Sequence, residues 1–202
     1  MAFNFTELGS DPEWFIVIIQ SRPAAVASVL VEHVAAMLKA RKDHIGGVYE
    51  LAHDDAYAGV AQVAVMQLLR VFPERAQKKQ VSEVLGKLLK SALRYLNDSE
   101  IKGIIDEKLA ISKLDVTQRI YWLAAGLVVA PRDYEPVARV FVGKSRARIQ
   151  GLAAFFIDRS DRRILREGTH ESSLAYLVRM FAPVCSPERL SGDSLVTPAK
   201  AM

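Results

Sequence analysis

Cysteine is almost absent from this chain of 202 residues: Cys185 stands alone. A single thiol has no partner within the chain, which excludes a disulfide-stapled scaffold. Cys185 also lies between Val184 and Ser186-Pro187, with no basic or histidine neighbour in sequence to activate it, and no Gly-x-Ser-x-Gly elbow occurs. Long apolar runs are missing too. The longest, Trp14–Ile19 and Tyr121–Pro131, fall well short of the roughly 20 residues a membrane-spanning helix needs. Met1–Ser10 has neither a basic start nor an apolar stretch, so the expectation is a soluble cytoplasmic protein without a secretory leader. Period-two alternation is lacking as well. Val140–Val142 comes nearest to a strand and is too short.

What is present is ordinary for a globular chain. Apolar types make up 50% and charged types 25%, enough to bury a core without metal or disulfide and too apolar for chain-wide disorder. The net charge of +4 permits an acidic or phosphate-rich partner without requiring one.

The apolar periodicity is helical almost throughout. It predicts helices over 11–20, 23–42, 55–72, 77–96, 101–109, 116–129, 133–142, 144–158 and 171–181, with a short turn at 48–52. Asp11 is read as the first N-cap with Pro12 at the first helical position, Asp54 or Asp55 as the cap of 55–72, and Asp115 as the cap of 116–129. Ser21-Arg22-Pro23 and Ala130-Pro131-Arg132 read as breaks. The fold class is all-α.

Helices 11–20 with 23–42, 55–72 with 77–96, 98–109 with 115–129, and 133–142 with 144–158 read as antiparallel pairs. Comparable helices recur at a spacing of very roughly 35 to 45 residues. A pair of this kind cannot hide its own apolar surface, and stacking against its neighbours does so. The expected architecture is therefore an irregular, HEAT-like α-solenoid over residues 1–185, followed by a polar tail over 186–202. The alternative is a single irregular helical bundle.

Several strings suggest chemistry. Gly143-Lys144-Ser145 looks like the end of a phosphate-binding loop, but position 138 is Ala, bulky residues fill 139–142, and a helix precedes it. Ile104-Ile105-Asp106 and Phe155-Phe156-Ile157-Asp158 look like magnesium-positioning elements but carry helical periodicity. His33, His53-Asp54 and Asp106 stand in the order used by all-α HD-type metal phosphohydrolases. Against that, His33 lies on an apolar face and Asp54-Asp55 already serves as a cap.

Arg159, Arg162, Arg163 and Arg166, in the charged loop after 144–158, have a spacing that can share one helix face and form a candidate interaction patch for phosphate or an acidic partner. Interleaved Asp158, Asp161 and Glu167 make it read first as a solvated face, and no aromatic residues interleave to stack bases. Trp14-Phe15 and Tyr121-Trp122 read as core or inter-repeat packing.

Taken together, certain strings resemble a known family. They are Trp14-Phe15 with Arg22-Pro23 and Val29-Leu30-Val31, then Leu51-Ala52-His53-Asp54 with Ala56 and Phe72-Pro73. Lys108-Leu109 follows, with Asp115-Val116-Thr117-Gln118-Arg119, Trp122–Leu127, Ala130-Pro131 and Gly151–Phe156. Over about residues 10–160 they resemble the helical-repeat region downstream of the nucleotidase domain in large bacterial NACHT-type (STAND) NTPases. The resemblance implies a part that senses a ligand or restrains an NTPase and does no chemistry itself. No catalytic residue of that family has a counterpart here.

The expectation is thus a non-enzymatic helical-repeat module without cofactor or metal. Its partner would be a protein, either an NTPase or a second copy docking on exposed repeat ends. An HD-like hydrolase and a basic helical nucleic-acid binder are the alternatives.

Overall fold

A computed structural model describes residues 12–42, 44–157 and 171–182; the tail and the arginine patch at 159–166 lie outside these described residues. Among them there are helices and turns and no strand, as the periodicity predicts.

The first helices are α1 (Glu13–Ser21) and α2 (Pro23–Lys39), bent by 101° at Arg22. Arg22 adopts φ −135° and ψ 54°, because the residue before a proline is driven out of the helical region, while Pro23 itself suits the first helical position. Asp11 lies outside the described residues. Pro12 stands one position before α1 rather than inside it.

Gly47, at φ +85°, turns the chain into α3 (Val48–His53). That left-handed φ is what requires glycine; a Cβ there would also press on the tip of Leu30, 2.5 Å from its Cδ1. Asp54 caps a 3₁₀ turn at Asp55–Tyr57, its Oδ1 accepting from the Ala56 N–H at 2.9 Å, and α4 (Ala58–Val71) follows.

The expected helix 77–96 is present with an irregularity that spacing does not reveal. α5 (Lys78–Gln80), a π turn (Val81–Leu85) and α6 (Gly86–Tyr95) run end to end, and the Gly86 N–H bonds Val81 O, five residues back. α7 (Asp98–Leu109) starts at Asn97, which accepts from the Glu100 N–H. α8 (Val116–Val129) starts at Asp115, which accepts from Thr117 at 2.8 Å and Gln118 at 3.2 Å.

Ala130-Pro131-Arg132 is a junction of one residue rather than a loop. Pro131 opens α9 (Pro131–Val142), because proline starts helices as readily as it ends them. α10 (Arg146–Ile157) and α11 (Glu171–Phe181) complete the set.

The even-numbered helices form a row: α2 packs on α4, α4 on α6, α6 on α8 and α8 on α10. α3 lies against α6 and α4, α7 against α8 and α4, and α11 against α9 and α10. Three of the four expected pairs are in contact, although α1 and α2 meet at their 101° bend rather than antiparallel. The fourth is not arranged as expected, since α9 and α10 each pack more extensively on α8 than on one another. The reason is α8 itself. It buries Ile120 and every residue from Trp122 to Leu127, and a helix apolar on all sides must be covered on all sides. At Gly126 a Cβ would lie 2.7 Å from Tyr134 Cγ, so glycine is what lets α9 approach.

Polar side chains tie later helices to the ends of earlier ones. Gln80 donates to Lys42 O, Ser91 to Leu51 O, Arg94 to Ala52 O, Lys108 to Arg70 O and Phe72 O, and Gln118 to Pro73 O and Glu74 O. Each reaches back 36 to 45 residues, and each accepting carbonyl lies in the last turn of a helix or just beyond it. Those carbonyls have no partner inside their own helix, so a later helix supplies the donor. Lys108 is buried at this task, and its burial pulls the ammonium below its ordinary pKa.

Candidate functional site

The residues that suggested metal chemistry are separately employed. His33, on α2, lines an apolar groove; His53, on α3, lines a different cleft. Asp54 caps the 3₁₀ turn. Asp106, on α7, accepts from the Tyr134 hydroxyl at 2.6 Å and from Lys102 at 2.9 Å. That hydroxyl, and then the ammonium, hold the Asp106 carboxyl below its ordinary pKa, while burial first and then Asp106 push the Tyr134 phenol well up. Among the described residues no group of three or more His, Cys, Asp or Glu side chains is placed to hold a metal ion.

Gly143-Lys144-Ser145 is the turn between α9 and α10, with the Gly143 N–H bonded to Arg139 O and the Ser145 N–H to Val142 O. No strand feeds it, so it lacks the setting of a phosphate loop. Arg159, Arg162, Arg163 and Arg166, and also Cys185, lie outside the described residues.

Two clefts carry the chemistry the fold assembles. The first is an apolar groove of about 290 Å³ in the angle between α1 and α2, floored by Leu30, Gly47, Glu50 and Tyr57. Other apolar side chains of α1, and Val29 of the groove's lining, stand exposed. Trp14 is 59% exposed and Val17 and Val29 are each 62% exposed, and Ile19 alone of α1 is buried. The expectation that Trp14 packs inside is therefore corrected: an apolar stripe marks a face that wants covering, and nothing among the described residues covers this one. Trp122, by contrast, is fully buried as expected. Inside the groove, Glu50 Oε2 is shielded from solvent and has no hydrogen-bond partner. A carboxylate oxygen held this way is a strong unused acceptor.

The second cleft, about 310 Å³, lies beside the π turn and is polar. Tyr49 and His53 come to it from α3, their ring centroids 4.4 Å apart. Lys87 and Lys90 come from α6; Lys87 bonds Glu83 at 3.1 Å and sits 5.4 Å from the Tyr49 centroid. Tyr121 from α8 and Phe155 from α10 meet edge to face at 5.7 Å. At Gly86 a Cβ would come within 2.9 Å of Tyr121 Cε1, so glycine lets that ring lie against α6.

Neither cleft was legible as a site in the sequence, because each gathers residues from separate helices. The usable signals were short ones: Tyr49 and His53 at i, i+4, and Glu83, Lys87 and Lys90 at i, i+4, i+7.

No protein-family model, no curated protein and no solved structure matches the chain. Among the described residues no single helix is long and apolar enough to cross a membrane; α1 and α2 reach that length only together, across their bend.

Proposed function

We propose that the chain is a non-enzymatic, HEAT-like helical-repeat module of the cytoplasm that docks an amphipathic helix of a protein partner in the groove between α1 and α2. The observation that carries this reading is the pairing of exposed Trp14, Val17 and Val29 with the buried, unpartnered Glu50 oxygen. Apolar side chains spaced along a helix fill such a groove, and one Lys or Arg among them supplies the donor Glu50 lacks. The row of helices and the ties spanning 36 to 45 residues support the repeat reading, since each repeat of such an array contacts chiefly its neighbours. The resemblance to repeat regions of NACHT-type NTPases suggests an NTPase as the partner.

The test is photo-crosslinking from the groove in the native host, comparing the parent chain with Trp14→Ser/Val29→Ser and with Glu50→Gln. The expected product joins the groove to an amphipathic helix bearing a basic residue, and both variants lose it. A crosslink to a second copy, binding to lipid vesicles in its place, or a partner retained by both variants would overturn the reading.

A further inference from the structure

A further cleft, of about 270 Å³, lies between α9 and α11, lined by Arg139, Val142 and Gly143 on one side and by Tyr176 and Arg179 on the other. We propose that it binds the carboxylate of a small molecule, held by the two guanidinium groups and the Tyr176 hydroxyl. This site is separate from the apolar groove and does not depend on the groove's role.

Spacing gathers the donors. Arg139 and Val142 stand three residues apart on α9, as do Tyr176 and Arg179 on α11, so each pair shares one side of its helix. α11 packs on α9, and these two sides meet across the cleft. The Arg139 guanidinium lies 5.7 Å from the centroid of the Tyr176 ring.

Both charge and hydrogen bonding are unfinished there. Arg139 Nη2 donates to Glu135 at 2.6 Å, which offsets that charge. Arg179 donates through Nε to the Ala175 carbonyl at 3.1 Å, and among the described residues no carboxylate pairs with it. A carbonyl takes one of the five guanidinium N–H groups and does not cancel the charge. Two guanidinium groups therefore stand against one carboxylate, and the excess is the charge of Arg179. Tyr176 is only 6% exposed, yet its hydroxyl has no hydrogen-bond partner. Buried polar groups are nearly always partnered, so this one calls for an acceptor. Burial pushes the phenol above its ordinary pKa, so the hydroxyl keeps the proton it would donate.

A carboxylate meets these needs together. Its two oxygens match the forked N–H groups of a guanidinium and also accept from a phenol. Its single charge equals the excess, whereas a phosphate monoester carries about 1.5 to 2. Val142 adds an apolar wall, and the volume, just under the roughly 300 to 1,000 Å³ of small-molecule pockets, suits a small ligand. A bound carboxylate would pin α11 to α9.

NMR titration of the whole chain at low salt tests this with benzoate, butyrate, benzamide and inorganic phosphate. The expected result is saturable shifts of the Val142, Gly143, Tyr176 and Arg179 amides with at least one of the two carboxylates. Inorganic phosphate should bind about tenfold or more weakly, and the neutral benzamide should not bind. Arg179→Gln and Tyr176→Phe should each weaken carboxylate binding by about tenfold. Neither should lower the melting temperature, because Arg179 is exposed and the Tyr176 hydroxyl has no partner to lose. Absence of saturable shifts with both carboxylates, equal binding of benzamide, phosphate binding as tight as that of the carboxylate, or full affinity in either variant would overturn the assignment.

Discussion

Helices α1 and α8 are both rich in apolar residues, yet they stand in opposite relations to the fold. α8 is enclosed by α6, α7, α9 and α10, and Trp122 to Leu127 are all buried. α1 buries Ile19 alone and turns Trp14 and Val17 outward. The difference teaches that an apolar helix is finished only by its neighbours. In the middle of the row the chain supplies them, and at the N-terminal end of the described residues it leaves a groove.

The contrast can be broken most forcefully at tryptophan. Trp122→Ala empties a fully enclosed position and should cost about 3–5 kcal/mol in chemical unfolding, whereas Trp14→Ala should stay within about 0.5 kcal/mol. Equal costs would mean that α1 is as enclosed as α8.

Glycine sharpens the comparison at smaller scale. Gly126→Ala drives a Cβ into the Tyr134 ring and should destabilise by about 1–3 kcal/mol. Gly103→Ala, on α7, meets nothing within 4 Å and should stabilise by about 0.5–1 kcal/mol through helix propensity. Paired urea melts of the two variants read both signs.

The smallest effect concerns the tie between α7 and α9. Asp106 has a folded-state pKa below its unfolded value, so its contribution is present above the ordinary carboxylate range and is lost as pH falls through it. The site is largely open to solvent, which keeps the contribution modest. Tyr134→Phe removes the main cause, so its destabilising effect should be smaller at about pH 2.5 than at about pH 6. A difference between Tyr134 and Phe that is constant with pH would contradict the assigned cause.

The helices were legible because burial on one side leaves a period near 3.6 in the sequence, and caps such as Asp115 mark where backbone N–H groups need an acceptor. The break at Ala130-Pro131-Arg132 was legible, but α9 starts at Pro131, two residues earlier than the spacing predicts, because proline suits the first helical position. The π turn left no trace, since one extra residue merely shifts the stripe. Nothing in the sequence marks Gln80, Lys108 and Gln118 for their task; their acceptors lie 36 to 45 residues earlier and only folding brings them near. Trp14 was misplaced for a related reason. Periodicity identifies a face to be covered and is silent on what covers it.

Native-state hydrogen exchange, residue by residue along the chain, tests most directly the claim of an enclosed middle and an unfinished end. The account predicts that α8 amides exchange only through global unfolding, while those of α1 and the start of α2 exchange through local openings of much lower free energy. Uniform protection across α1, α2 and α8 would contradict it.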